Sequence, residues 1–593
     1  MCGIVAGICH QAGEKVLDGL KRLEYRGYDS AGVAFWHHQK IHCIKSVGKI
    51  CDLEKTLPQK WETSCCIGHT RWATHGSVTL ENAHPQSSYD QRIYVVHNGV
   101  IENDEELRKK LTLSGISFTS QTDTELIADF ISLTMKNTKN LLHAIEEVTH
   151  LLQGSYALAI LSQDEPDKIY FARKQSPLLI GEGSEISMIA SDLNAMDEGC
   201  EHFFTIPEDH YGYIEKNHVH LYHKKWKIKP TYFSYHIDKK QLEKGDYQHF
   251  MEKEIEEQPM VVQRILDHYV DNDHILLPPW MMKDIARAER IIFVACGTSY
   301  HACLIGKRWM EEFAKKPAEV HLASEFSYHF PIISSKICYI FLSQSGETAD
   351  LKKALDQIRA HSTAPIFTLT NVSSSTLARY SDGYLELLAG PEISVASTKA
   401  YVAQLCLLLL MSLSFQQELS PSLLLRSCKE SMEKTISQKE KILQIVKNKL
   451  YHAEHCFFIG RLYDYDLALE GALKMKEVSY IHAEGFAAGE LKHGSIALIQ
   501  TNTPVIACIS SQKISSMTRI NLQETISRGA TPIVISTTSI AESKDDFVVD
   551  CLDERLSPIV MIPVLQYFAY DCAYLRKVDI DQPRNLAKSV TVE

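Results

Sequence analysis

The sequence predicts a layered α+β domain over residues 1–230, followed by two α/β domains built on parallel sheets. Three observations predict this. The first third mixes short apolar strand runs with amphipathic helical segments and interrupts them with polar, glycine-containing turns. The remainder carries two successive sets of fully apolar runs alternating with helical stretches, the mark of buried parallel strands. With 593 residues, 45% of them apolar and 23% charged, the chain is too long for one core and has ordinary globular composition.

Composition excludes several classes of function. The net charge of −12 and the lack of a long basic run argue against nucleic acid as the main ligand. Any anionic substrate must therefore be met by local groups. The N-terminus has no basic segment followed by an apolar one, so no secretory signal is expected. The apolar run Leu405 to Leu413 falls well short of the ~20 residues of a membrane span and reads as a buried helix. Sixteen cysteines without metal-site or disulfide-framework spacing suggest free thiols in a reducing cytoplasm, with no metal and no cofactor.

Chemistry begins at the second residue. Removal of Met1 leaves Cys2 with a thiol and a free α-amine, and such an amine titrates near ~8 against ~10.4 for Lys, so the nucleophile carries its own base. The strand Ile4 to Ile8 and a helix near Val16 to Leu23 lead into Tyr25-Arg26-Gly27-Tyr28-Asp29, a turn suited to a small polar ligand. An apolar run then enters Gly68-His69-Thr70-Arg71-Trp72-Ala73-Thr74-His75-Gly76, a poor continuation for a core strand and a good pocket lining. His97-Asn98-Gly99 offers an amide and a glycine N–H for an oxyanion, and Thr122-Asp123-Thr124 follows. Taken singly, Arg71 also suits a surface ion pair, Asn98-Gly99 a hairpin turn and Asp123 a helix cap. Strands at Ile93 to His97, Tyr156 to Leu161, Ile169 to Ala172 and Ile186 to Ala190, with helices near Asp104 to Leu111 and Thr124 to Met135, make up the rest of the layered domain.

Together with Cys2, these motifs resemble the class II, N-terminal-nucleophile glutamine amidotransferase domain, through roughly residues 1–230. The resemblance implies two antiparallel sheets between helices. It implies that Cys2 attacks the glutamine carboxamide, that Asn98 and the Gly99 N–H hold the oxyanion, and that Arg71 and Asp123 hold the α-carboxylate and α-ammonium. Thr74, His75 and Arg26 would complete that pocket.

Residues 231–246, rich in Lys, Tyr and His, read as a linker. A helix from Tyr247 is interrupted or ended by Pro259. The first α/β domain, 247–425, has strands Ile291 to Ala295, Ile337 to Leu342 and Ile366 to Leu369; the second, 426–580, has Cys456 to Ile459, Val505 to Ile509 and Ile533 to Ile535. Each opens with an apolar strand, a glycine and a helix, so the pair reads as a duplication. In the first copy Cys296-Gly297-Thr298-Ser299 and Ser343-Gln344-Ser345-Gly346-Glu347-Thr348 follow strands and enter helices, a neutral cradle for a phosphate dianion. Gly460-Arg461-Leu462-Tyr463 and Ser510-Ser511-Gln512-Lys513 replace them in the second copy, which is expected to supply something else. The pair resembles the sugar isomerase domains, with Thr298, Ser299, Ser343, Gln344, Ser345 and Thr348 at the phosphate.

Glu470, Lys474 and Glu477 share one helical face, which by spacing alone reads as a salt-bridged solvent face. A Gly/Ala-rich turn delivers His493, and the tail 581–593 ends in Asp581-Gln582-Pro583-Arg584-Asn585-Leu586-Ala587-Lys588-Ser589-Val590-Thr591-Val592-Glu593. With this tail the resemblance extends over the whole chain, to the isomerising glutamine:fructose-6-phosphate aminotransferase family. It implies L-glutamine and D-fructose-6-phosphate as partners and a homodimer. It also implies that His493 assists ring opening, Lys588 forms a Schiff base with the C2 ketone, Glu477 moves a proton from C1 to C2, and Lys474 sits nearby. Val395, Ala396 and Ser397 would line the sugar site, and Trp72 would gate ammonia. Ser327, Ser394 and Ser495 depart from the family pattern, which has Arg, Gly and Pro there. The acidic pyrophosphate loop of amidophosphoribosyltransferases and the Ser-Gly-Gly-rich ATP loop of asparagine synthetases do not occur. A sugar-phosphate-binding regulator without catalysis is the reading from a different class, and glutamine-dependent product formation discriminates it.

Overall fold

The computed structural model describes residues 2–58, 61–73, 76–234, 239–329, 331, 334–416 and 418–590. They fall into two compact units, one running to Leu242 and taking in Ser589 and Val590, the other spanning Glu243–Lys588.

The first unit contains two seven-stranded sheets, and every pairing in them is antiparallel. Gly3–Cys9 lies at the centre of one sheet, between Ile186–Ala190 and Cys65–Arg71. Ile93–Ile101 and Gly154–Ser162 are neighbours in the other. Inward residues of both sheets, among them Ile4, Ile67, Val96, Ala157 and Phe171, form one buried cluster, so the sheets pack face to face. The outer face of the second sheet is covered by helices Asp123–Thr138 and Leu141–Thr149, whose Leu126, Ile127, Ile131 and Ile145 pack on Ile93, Val95 and Leu158. Helix Ala12–Arg22 covers the first sheet, with Val16 and Leu20 against Gly68. The outcome is the helix, sheet, sheet, helix layering expected.

The second unit holds two five-stranded parallel sheets. Numbered along the chain, the strands of each take the same spatial order, 2-1-3-4-5. One is built on Arg290–Ala295, Ala318–Leu322, Ile337–Ser343, Ile366–Thr370 and Gly383–Glu386; the other on His455–Gly460, His482–Ala487, Pro504–Ile509, Thr531–Thr537 and Phe547–Val549. The shared order establishes the duplication seen in the sequence. A single buried cluster runs from Met251 to Ile580 through both sheets.

Three local features differ from, or refine, the expectations. Phe233, expected in the linker, pairs with Phe203 through backbone hydrogen bonds of 2.9 and 2.7 Å. Two helices, Phe250–Glu256 and Gln258–Tyr269, meet at Glu257, so Pro259 lies in the first turn of the second, where no N–H is required. Helix Lys399–Leu413 is buried along its whole length, as its composition predicted. A second helical stretch, Glu554–Arg576, which the sequence reading did not single out, is long and apolar enough to cross a membrane by length and composition, and its most apolar window is entirely buried inside the protein.

Candidate active site

In the first unit, antiparallel pairing brings four distant segments to one end of the sandwich. The Cys2 sulfur accepts a hydrogen bond from the Trp72 N–H at 3.2 Å and lies 3.4 Å from the Trp72 carbonyl oxygen. Burial pushes the Cys2 thiol up, against the pull of the Trp72 N–H and Arg71, so the sulfur needs a base to become a nucleophile. Asn98 donates from Nδ2 to the Cys2 carbonyl oxygen at 3.0 Å and to Ser191 Oγ at 2.8 Å. Asn98 and Gly99 lie inside strand Ile93–Ile101, not in a hairpin turn. Gly99 has φ of 135°, and a Cβ there would stand 2.1 Å from the Ser155 carbonyl oxygen, so only glycine permits this backbone.

Arg71 ends strand Cys65–Arg71 and is 3% exposed, which removes the surface ion-pair reading. Burial lowers its pKa while Cys2, Asp29 and Asp123 oppose that shift, which places all three in its field. Asp123 opens helix Asp123–Thr138, and its Oδ2 accepts the Ile101 N–H at 3.0 Å, so it ties the helix to the Asn98 strand as well as starting it. Arg26 is paired with Asp192, and the Trp72 ring meets Tyr28 edge-on at 5.5 Å. Thr74 and His75 lie outside the described residues.

In the second unit the two Ser/Thr loops follow strands 1 and 3 of the first parallel sheet, which flank the point where the strand order reverses. Ligands of open parallel sheets gather at such a crevice. Cys296-Gly297-Thr298-Ser299 enters helix Gly297–Glu312, and Thr348 precedes helix Ala349–His361. Ser343 Oγ accepts the Gly346 N–H at 3.0 Å and pairs with Thr348 Oγ1 at 3.0 Å, while Ser345 Oγ accepts the Glu347 N–H at 3.2 Å. The Gln344 carbonyl oxygen accepts the Asn371 N–H, and Ser299 Oγ accepts from Gln404 at 2.8 Å.

The second copy places a carboxylate where the first has hydroxyls. Asp464, at the start of helix Tyr463–Ser479, accepts the Ser510 N–H at 2.8 Å, the Ser510 hydroxyl at 2.6 Å and the Ser557 hydroxyl at 3.2 Å. Burial raises its carboxyl to about 6. Its crevice therefore already holds an anion of its own.

Further along the same helix, Glu470 and Lys474 are fully buried, which rules out the solvent-face reading. Glu470 accepts from Thr298 at 3.1 Å and lies 2.7 Å from His301 Nδ1, so this helix abuts the first copy's Cys296-Gly297-Thr298-Ser299 loop. Lys474 is paired with Glu477 and lies 3.5 Å from Glu470. Burial opposes its charge, yet Glu477, Glu470 and Glu392 hold its pKa above the usual lysine value.

The tail is placed through residue 590. Asp581 accepts the Phe250 and Met251 N–H groups, both at 2.9 Å, at the start of a helix, and the Val395 N–H donates to its carbonyl oxygen at 3.0 Å. Lys588 donates to Glu392 Oε2 at 2.5 Å and to the Ser394 carbonyl oxygen at 2.8 Å. Glu392 also accepts the Thr398 and Ala400 N–H groups and the Ser397 hydroxyl. Burial opposes its charge, but Lys588 and these donors hold its carboxyl below the ordinary range. Lys588 is thus paired with Glu392, whose Oε2 also accepts from Ser397, and the charge of Glu392 reaches Lys474, the partner of Glu477. His493 joins none of them: it ends the turn Leu491–His493, is exposed, and makes no hydrogen bond or ion pair with Glu477 or Lys588 among the described residues. Of the departures, Ser327 donates its hydroxyl to the Ala323 and Asp350 carbonyls, whereas the buried Ser394 hydroxyl has no partner among the described residues.

Sequence reasoning missed Glu392, Glu470 as a partner of Thr298, Ser191 and Asp464. Glu392 had one available signal, an acidic residue in Gly390-Pro391-Glu392 immediately before Val395-Ala396-Ser397.

Family models match in both units. The glutamine amidotransferase domain matches residues 69–198, and the SIS domain matches twice, at 284–414 and 449–576. Fold and matches together define an amidotransferase joined to a pair of sugar isomerase domains. The glutamine–fructose-6-phosphate aminotransferase [isomerizing] of Bacillus cereus is 43% identical over 602 residues, covering 100% of both chains, and that of Geobacillus kaustophilus is 42% identical with the same coverage. A solved structure, the C-terminal domain of the glucosamine-fructose-6-phosphate aminotransferase from Francisella tularensis, superimposes with a TM-score of 0.55 at 33% identity, covering 57% of this chain and all of that one. The chain belongs to the isomerising glutamine–fructose-6-phosphate aminotransferase family.

Proposed function

We propose that this chain moves the amide nitrogen of L-glutamine to D-fructose-6-phosphate and isomerises the product to D-glucosamine-6-phosphate, the first step towards UDP-N-acetylglucosamine. The observation that carries this is the 43% identity to enzymes of that name over the full length of both chains.

In this reading residues 1–230 form the glutaminase domain, 247–425 and 426–580 the two isomerase domains, and 581–593 a catalytic tail. The free α-amine of Cys2 takes the thiol proton, and Sγ adds to the glutamine carboxamide carbon. The oxyanion is met by the Asn98 amide and the Gly99 N–H. Ammonia leaves with the proton, and water then cleaves the thioester to glutamate. Arg71 and Asp123 take the α-carboxylate and α-ammonium, with Arg26, Thr74 and His75 completing the pocket and Trp72 gating the ammonia. The buried position of Arg71, in the field of Asp29 and Asp123, supports this assignment.

On the sugar side Ser343, Gln344, Ser345, Thr348, Thr298 and Ser299 take the phosphate, and Val395, Ala396 and Ser397 line the sugar. Ring opening is assigned to His493 by the family resemblance alone, since within this chain it stands apart from Lys588 and Glu477. Lys588 adds as the free amine to the C2 ketone and expels water; ammonia displaces it, leaving an imine at C2. Glu477 then removes a proton from C1 and returns it at C2, giving the amino-aldehyde, while Lys474 sits beside it. The ion pair of Lys588 with Glu392 at 2.5 Å supports the placement of this lysine at the sugar site. The enzyme acts in the cytoplasm as a homodimer.

The test supplies amide-15N glutamine and fructose-6-phosphate, with mass spectrometry of the product and of the protein N-terminus. Glucosamine-6-phosphate carrying the label, from a chain beginning at Cys2, is expected. Glutamate without amino sugar would overturn the transfer.

A further inference from the structure

His69 has no part in the reading above, although its surroundings are more specific than those of most buried polar residues. It lies in strand Cys65–Arg71, between Ile4 and Gly32 of the neighbouring strands, and its ring is fully buried. Its Nε2 reaches the facing sheet, 3.0 Å from Asn98 Oδ1 and 3.0 Å from the His97 carbonyl oxygen. The Asn98 amide is oriented by its other end, where Nδ2 donates to the Cys2 carbonyl and to Ser191. A flipped amide would set Oδ1 against that carbonyl oxygen. Two acceptors therefore face His69 Nε2, which must carry the ring proton, and His84 Nδ1, 3.3 Å away, presents its lone pair. Burial lowers the His69 pKa to about 3, so the ring is a neutral donor. Its Nδ1 makes no hydrogen bond among the described residues. An aliphatic side chain would fill the space between the sheets without leaving that nitrogen unsatisfied, so what histidine adds here is the Nε2–H.

We propose that His69 is the positioning residue of the oxyanion site: its Nε2–H holds Asn98 Oδ1 and so keeps the Asn98 Nδ2–H aimed at Cys2. The proposal rests on the reading of Asn98 as the oxyanion donor. An Asn carboxamide turns about a broad, two-fold torsion, and a donor fixed on its oxygen removes the flipped state. The same hydrogen bond draws charge toward Oδ1 and strengthens Nδ2–H as a donor. The Nδ2–H now on the Cys2 carbonyl is the one available to the oxyanion, because the other is held by Ser191.

The experiment measures steady-state glutamine hydrolysis by the full chain in five variants: His69→Leu, His69→Asn, His69→Gln, Asn98→Ala and the double variant His69→Leu/Asn98→Ala. Glutamine sets its amide nitrogen where Nε2 stands, whereas asparagine reaches only the place of Nδ1. His69→Leu and His69→Asn should lower kcat about tenfold to hundredfold with KM for glutamine within about twofold, and His69→Gln should recover most of the loss. On the Asn98→Ala background, His69→Leu should cost nothing further. If His69→Leu does not fold, the Asn and Gln variants, both polar, decide the matter between them. Equal rates for those two, or a full additional loss in the double variant, would overturn the proposal while leaving Asn98 in its role. Normal hydrolysis by Asn98→Ala would instead remove the oxyanion reading, and this proposal with it.

Discussion

The two parallel-sheet domains share one strand order, yet their crevices are lined in opposite ways. In the first, strands 1 and 3 end in loops of hydroxyls and N–H groups with no carboxylate of their own spanning them among the described residues, as in the pairs of Ser343 with Thr348 and Ser345 with the Glu347 N–H. In the second, the Asp464 carboxylate spans the same gap and takes the donors of Ser510 and Ser557. An anion-binding crevice can hence be left for a substrate or satisfied from within. The second copy meets the first through another part of its first helix, where Glu470 accepts from Thr298 with Lys474 and Glu477 paired beside it.

The contrast breaks most severely if the tail does not serve the open crevice. Lys588→Ala should lose glucosamine-6-phosphate synthesis by at least about 10³-fold, by analogy with losing a covalent nucleophile, while glutamine hydrolysis persists. Borohydride with fructose-6-phosphate should trap an adduct on Lys588 in the parent chain, read by peptide mass; synthase activity retained in Lys588→Ala would end that assignment. Next in size, Ser345→Ala and Thr348→Ala should each raise KM for fructose-6-phosphate by roughly tenfold to 150-fold, the equivalent of about 1.5–3 kcal/mol for a hydrogen bond to a charged group. Glutaminase activity without sugar should be unchanged, and an equal fall in both activities would make these loops structural.

The matching change in the closed crevice sharpens the comparison. Ser510→Ala removes one donor from Asp464, so it should cost about 1–3 kcal/mol in denaturant unfolding and leave KM for fructose-6-phosphate alone. The smallest effect is a pH slope. The Asp464 carboxyl titrates near 3.8 unfolded and about 6 folded, so between these values the folded protein holds the extra proton. Its contribution to stability is complete below about pH 4 and is lost as pH rises through about 6, a fall of roughly 3 kcal/mol. Asp464→Asn should flatten that part of the stability profile, and an unchanged slope would show that other groups set it.

What the sequence determined was local or periodic. Apolar runs marked the strands because a strand buried on both faces must be apolar throughout, and the order of strand, glycine and helix marked the duplicated unit. Cys2 and the Ser/Thr loops stood out as candidates because their chemistry is carried by neighbours in the chain, whereas Lys588 was singled out only by the family resemblance of the tail. Only the tertiary structure decided the rest. Asn98-Gly99 carries the signature of a hairpin turn, but pairing with Gly154–Ser162 keeps it in a strand, where Gly99 lets the backbones close. Glu470, Lys474 and Glu477 have the spacing of a solvent face, but tertiary packing buries Glu470 and Lys474 completely, and Glu470 meets Thr298 of helix Gly297–Glu312. Glu392 meets Lys588 across 196 positions, and His69 meets Asn98 from a different sheet. A buried charge or a lone histidine takes its meaning from the partner that satisfies it, and that partner is chosen by strand order and packing rather than by any pattern along the chain.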